Sequence, residues 1–335
     1  MQSAFWRLIV AAVVCFPLAA LSQPVKLKFA EFSPDTERIH NTIDKPFAAF
    51  VNKAAAGAIE IELFPNGALG RNPQLQAQMV LDGVADIAFV VPPFTPGRFP
   101  ESEVIELPGL FRNLREATTV FTRMVASGAI RDYKDYFPIA MWGTPPFSIH
   151  ARFPIKSIAD LKGKKIRASG VMQIESLKSL GAVPVGMPPT EVPEAISRRT
   201  IDGATSQPAV VFDFGLDRVT DMHYFIRLGS VPLTVLMNRK KFESLPKAGQ
   251  DAIRNYGLEW MASRYSDEYV AYDSELIKKL QADPKRKVLI PSDADQNAAR
   301  ARFEPVIAAW VGKSPRNAEL YKAVKAEIEK VRARK

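Results

Sequence analysis

The sequence predicts an α/β protein built as two similar lobes, and three observations carry that expectation. The chain has 335 residues, more than one ordinary hydrophobic core takes, so two domains are expected. A β-α-β-α-β rhythm runs through the first part and restarts after Pro138, the pattern of largely parallel sheets covered by helices. Between Pro246 and Pro284 no proline occurs, and apolar residues recur three or four positions apart. As one amphipathic helix of roughly 50 Å, this stretch would brace two lobes, although packing on one lobe alone is the other reading.

The elements follow in order. Residues 25–29 alternate apolar and basic side chains as a strand does, and Ser33-Pro34-Asp35 ends them. A helical segment runs through Phe47, Phe50 and Val51, and a second strand at 59–64 closes on Pro65-Asn66-Gly67. A helix over 74–81 leads through Asp82-Gly83 to a third strand at 87–91. In the second unit an apolar stretch at 139–142 precedes Pro145-Pro146, and 148–151 continues as a strand. A strand at 165–168, a helix over 172–180, a strand at 183–185 and a helix over 191–197 complete it. Ligand would bind most naturally between two such units.

Ahead of these elements, residues 1–22 have the form of an export signal. Arg7 is their only charge, 8–20 is apolar, and Ala20 and Ser22 offer a small-x-small cleavage pattern, placing the mature start near Gln23. A membrane anchor is the alternative, but roughly 13 apolar residues broken by Pro17 are too few to span a bilayer. The one cysteine, Cys15, falls inside this segment. An exported chain would then hold no thiol, which excludes disulfides, a cysteine nucleophile and thiolate metal sites together. The net charge of +9 would steer anions; nucleic acid is the competing partner, and export argues against it.

Signatures of catalysis are missing: there is no GxSxG, GxxxxGK[ST], HExxH or GxGxxG. His40, His150 and His223 are each alone in sequence and read as structural. Glu31, Asp35 and Glu175 are carboxylates without an acid–base partner. Asp293, Asp295, Asn297 and Glu304 have calcium-loop spacing, yet Ala298 stands where the sharp turn needs glycine. Ser292 and Asp293 read better as caps of a helix, so no metal or cofactor is expected. What remains is the run from Lys162 to Gly170. With Ile166 facing the core, Lys165 and Arg167 share the opposite face, and Arg167 sits at the strand's carboxyl end, where open α/β sheets bind ligands. Its planar guanidinium matches a carboxylate; a surface salt bridge is the equal alternative.

At these residues the chain resembles the solute-binding subunit of tripartite ATP-independent periplasmic (TRAP) transporters, of the dicarboxylate-binding-protein family. The resemblance spans essentially the whole mature chain. It rests on an ordered set: Phe29-Ala30-Glu31-Phe32-Ser33-Pro34-Asp35, Phe64-Pro65-Asn66-Gly67-Ala68-Leu69-Gly70, Asp82-Gly83-Val84-Ala85-Asp86-Ile87 and Glu106-Leu107-Pro108-Gly109-Leu110-Phe111. The second lobe adds Leu161-Lys162-Gly163-Lys164-Lys165-Ile166-Arg167, Leu180-Gly181-Ala182-Val183-Pro184-Val185 and Ile201-Asp202-Gly203-Ala204.

The resemblance implies a type II-like periplasmic-binding-protein clamshell with hinge strands and a long brace helix spanning both lobes. Lobe I is expected at 23–147 plus about 231–275, and lobe II at 148–230 plus about 276–335. It implies that Arg167 pairs with a substrate carboxylate, and that the loaded protein docks on the small and large membrane subunits of an ion-driven transporter. It implies neither enzyme nor ATPase. Many members carry Glu-Asn-Pro after Asp-Gly; here Ala204-Thr205-Ser206-Gln207-Pro208 is one residue longer, and Gln207 is the candidate substitute for the asparagine amide. Phe32, Phe94, Trp142, Phe147 and Phe212 are candidate pocket walls, which favour one carboxylate on an apolar or aromatic body. Arg98 is a second candidate cation or a surface-loop residue. A monomer is expected. An exported hydrolase or lyase would need an acid–base pair in the cleft, and a signalling receptor would use the same clamshell with a different partner.

Overall fold

The computed structural model describes residues 23–333, so the expected export signal at 1–22 lies outside the described residues. Strands β1 (Val25–Ala30), β2 (Ile59–Phe64), β3 (Ile87–Val90) and β4 (Tyr136–Gly143) come first. β5 (Ser148–Ala151), β6 (Lys165–Ala168), β7 (Val183–Gly186), β8 (Gly203–Ser206) and β9 (Met222–Tyr224) follow, then β10 (Pro232–Asn238) and β11 (Lys287–Leu289). They form two sheets, in the orders β2-β1-β3-β10-β4 and β11-β9-β5-β8-β6-β7.

Alternation sets the faces. In β1, Leu27 and Phe29 are buried while Lys26 is exposed, and a slip of one residue would invert them. β1 pairs in parallel with β2 and β3, and β6 with β7 and β8. The sheets are less parallel than expected: β10 runs antiparallel between β3 and β4, and β5 between β8 and β9. The cause is the chain path. It leaves the first sheet through 144–147 and returns through 225–231, so β4 and β10 flank one excursion and lie side by side. The two crossings are hydrogen-bonded as hinge strands: Thr144 N donates to Val231 O at 3.0 Å, and Phe147 N to Gly229 O at 2.8 Å.

The single helix expected over 247–283 is two, Lys247–Tyr256 and Leu258–Ala282. Gly257 between them is extended, and a Cβ there would lie 2.8 Å from Ile253 O and 3.0 Å from Ile139 O. The chain turns where a side chain does not fit against β4. The second helix, 25 residues, is roughly 37 Å long. It packs on helix Leu114–Ala126 and β4 of the first lobe, and on helix Pro208–Asp213 and β11 of the second, so it braces both. The final helix departs from the expected division, which gave 276–335 to the second lobe. Helix Asp293–Gly312, capped by Ser292 Oγ accepting from Asp295 N at 3.2 Å, rests on helix Val171–Ser179 of the second lobe. Pro315–Ala333 instead packs on Leu114–Ala126 of the first. Leu320, Val324 and Ile328 are its buried stripe, flanked by Arg123–Glu327 at 2.8 Å. Such a stripe marks a buried face without naming the surface that covers it.

Two histidines isolated in sequence meet in the second sheet. His150 on β5 and His223 on β9 are fully buried, their Nδ1 atoms 2.8 Å apart. Burial disfavours their charged forms, pushing the pKa down to about 3 for His150 and about 4 for His223. The unfolded chain, titrating near ~6.5, then takes up protons that the folded chain refuses. This stability is present above pH ~6.5 and is lost as pH falls toward 4. Buried carboxyls act the other way: Glu37, raised to about 8, and Asp213 and Asp273, each raised to about 7, contribute less as pH rises. The stability difference between the wild type and a His150→Gln, His223→Gln variant isolates the histidines. It should shrink by up to about 2.7 kcal/mol per pH unit between roughly pH 6 and 4. Denaturant titrations at stepped pH check this, and a flat difference would reject the pair as the acid-sensitive element.

Candidate functional site

The short strand β6 places Arg167 at its carboxyl end. Ile166 faces the core as expected, but the two cations separate: Lys165 is exposed, whereas Arg167 is 2% exposed. Its Nε donates to Met187 O at 2.8 Å and its Nη1 to Thr205 O at 3.1 Å. Nη2 is buried without a hydrogen-bond partner. Thr205 Oγ1 in turn donates to Arg167 O at 3.1 Å, and Gln173 Oε1 accepts from Ser169 N at 3.0 Å, so the loop around the guanidinium is held from behind. Among the described residues no carboxylate pairs with Arg167, and burial alone pulls its pKa down to about 9. The surface salt bridge therefore does not form. A cation held in a low-dielectric site without a counter-ion is a costly arrangement unless an anion joins it.

Arg167 borders a narrow space of about 50 Å³ between the lobes. Phe32, Phe94, Phe147 and Gln207 border it too, so five of the seven candidate positions converge. Phe32 is stacked on Phe89 at 5.5 Å and meets Phe94 edge-on at 6.3 Å, a rigid aromatic wall from the first lobe. Gln207 is 4% exposed with Oε1 unpartnered. The other two candidates lie elsewhere. Trp142 is fully buried against the brace helix, stacked on Tyr265 at 5.0 Å. Phe212 does not border this space; its ring lies under Lys279 Nζ at 4.3 Å and, with Phe32 and Phe214, lines an adjoining groove. Arg98 is bound to Tyr136 OH at 3.0 Å and Gln78 Oε1 at 2.6 Å, the surface-loop alternative.

Sequence reasoning missed Phe89, Phe214 and Glu37, which border the same space along with further apolar residues and the hydroxyls of Ser33, Thr144 and Ser169. Phe214 lies two positions after Phe212, and only the exact end of helix Pro208–Asp213 decides which ring turns inward. Glu37, between a turn and a helix, carries no local sign of being buried. A wider groove of about 610 Å³ surrounds Arg152, Asp283 and Arg286. It lies open to solvent, and Arg286 already pairs with Asp283 at 2.9 Å. The aromatic-lined space with a buried, unpaired cation is the better candidate.

The chain is also similar to known proteins. The family model described as bacterial extracellular solute-binding protein, family 7 (DctP), matches residues 29–313. The 2,3-diketo-L-gulonate-binding periplasmic protein of Escherichia coli is 28% identical over 97% of this chain and 98% of its own. A TRAP solute-binding protein from a marine metagenome, specific for aromatic acid ligands and crystallised with 3-hydroxybenzoate, has 30% identity and a TM-score of 0.88, covering 92% of this chain and 99% of that one. A TRAP solute-binding protein from Rhodoferax ferrireducens with benzoate has 28% identity and a TM-score of 0.86, covering 91% and 98%. These neighbours are two-lobed clamshell receptors rather than enzymes, working with TRAP membrane subunits. A two-lobed fold braced by one helix, with a buried cation at its cleft, and a family match over most of its length together make this chain a member of the DctP family of TRAP solute-binding proteins.

Proposed function

We propose that the protein captures an aromatic or apolar monocarboxylate between its lobes and presents it to the small and large subunits of a TRAP transporter. The observation that carries this is Arg167: buried, without a counter-ion, and bordering a space walled by Phe32, Phe89, Phe94 and Phe147. The carboxylate replaces the missing counter-ion at Nη2, and lobe closure strips water from the pair and strengthens it. Gln207 adds an amide at the same space. The space is narrow, so the acid enters with the lobes apart and the rings close on it. The structural neighbours of 30% and 28% identity that hold 3-hydroxybenzoate and benzoate support the aromatic choice. Export by residues 1–22 and action as a monomer belong to the same proposal.

Melting curves and calorimetry with benzoate, phenylacetate, their amides, aliphatic dicarboxylates and a sugar acid test it. Benzoate or phenylacetate at a hundredfold over its dissociation constant should add about 2.7 kcal/mol, and the matching amide nothing. Tighter binding of a dicarboxylate or sugar acid than of either aromatic acid would overturn the aromatic reading.

A further inference from the structure

The space beside Arg167 holds a second buried ionisable group that the carboxylate does not use. Glu37, from the first lobe, borders the same space, is 5% exposed, and has Oε2 without a hydrogen-bond partner. Among the described residues no cation pairs with it, and Arg167 is not within ion-pairing distance. Burial above all, with the nearby Asp213 and Glu31 and against the neighbouring Ser33 hydroxyl, holds it toward the neutral acid, at about 8. A neutral carboxylic acid in an apolar wall is a hydrogen-bond donor that also accepts. With Oε2 unpartnered it carries the cost of an unsatisfied buried group, and a ligand hydroxyl or carbonyl removes that cost.

We propose that Glu37 is a specificity residue: it recognises an uncharged polar substituent, such as a hydroxyl, on the body of the acid whose carboxylate engages Arg167. The inference rests on the aromatic-acid reading and narrows it. Among the described residues one cation and one carboxyl border the space, so a second carboxylate on the ligand would meet Glu37 rather than a counter-ion. A hydroxyl meets a partner able to donate or accept. A methyl of similar size meets an unsatisfied polar group. Sites built to hydrogen-bond a substrate group discriminate strongly against analogues lacking it.

The test compares dissociation constants for benzoate and phenylacetate, their ring-hydroxylated and ring-methylated isomers, and isophthalate, in the wild type, Glu37→Gln and Glu37→Met. At one ring position the wild type should prefer hydroxyl over methyl by tenfold or more and bind isophthalate more weakly than benzoate. Glu37→Gln, which keeps a donor and an acceptor, should retain most of the preference. Glu37→Met should bring it near unity or invert it, while the unsubstituted acid still binds. An unchanged hydroxyl-to-methyl ratio in Glu37→Met, or no hydroxyl preference in the wild type at any position, would overturn the assignment while leaving the aromatic-acid reading intact. Failure of both unsubstituted acids to bind would fall on that reading itself and take this one with it. The wild-type comparison stands even if Glu37→Met does not fold.

Discussion

Arg167→Met is expected to abolish acid binding while leaving the folded protein about as stable as before. The two effects separate because the guanidinium's burial is compensated only when an anion is bound. Removing one partner of a buried, hydrogen-bonded charge pair costs about 2–5 kcal/mol or more, roughly 30-fold to several-thousandfold in affinity. The apo protein gains by losing an unpaired buried charge and loses the donors to Met187 O and Thr205 O, each worth about 1 kcal/mol. These terms oppose, so the melting temperature should move by only a few degrees. Calorimetry with the best acid from the panel, beside a thermal melt without ligand, reads both. Near-wild-type affinity in the variant would remove Arg167 as the anchor; a collapse of stability would show that it serves the fold.

The second large effect is expected at Gly170, which begins helix Val171–Ser179 in the second lobe. Its φ of −159° is extended backbone open to any residue, so no local conformation demands glycine there. The demand comes from across the cleft: a Cβ would lie 2.5 Å from Pro93 Cβ and 2.9 Å from Glu106 Oε2. Both belong to the first lobe, and Pro93 sits in a rigid Pro92–Phe94 turn. Gly170→Val therefore collides only when the lobes meet. The variant should fold normally, bind acid at least tenfold more weakly, and lose the ligand-induced compaction that small-angle scattering would record in the wild type. A shift of tenfold is about 1.4 kcal/mol, a modest demand on a contact this close. Unchanged affinity and compaction would mean that Pro93 and its turn yield, and that the contact does not govern closure.

How much of this was legible depended on whether one face of each segment had to be buried. β1 and β2 alternate visibly because only one face meets the core. β4 does not: Ile139, Ala140, Met141 and Trp142 are all fully buried, so period-two reasoning cannot say which side a residue faces. The sequence therefore cannot distinguish a cleft position for Trp142 from its actual one, stacked on Tyr265 of the brace helix. Arg167 was legible because the end of a parallel strand is a ligand position in its own right, and the resemblance sharpened it. Gly257, the final helix's position and the His150–His223 meeting depend on contacts between segments distant in sequence. Glu37 was illegible for a related reason: an acidic residue beside a turn reads as solvated, and only the folded chain buries it near Glu31 and the second lobe's Asp213.

The placing of β10 between β3 and β4 also bears on how the protein comes to exist. Thr234 Oγ1 donates to Val90 O across 144 residues of chain, so an interior place in the first sheet, between β3 and β4, is filled by a strand that emerges long after its neighbours. Until then β3 and β4 present unpaired edges, an aggregation hazard. Contacts this distant in sequence make for slow acquisition of the native state. The first lobe therefore cannot mature as the chain's leading part appears. It waits for the second lobe's segment to be made before its sheet can close.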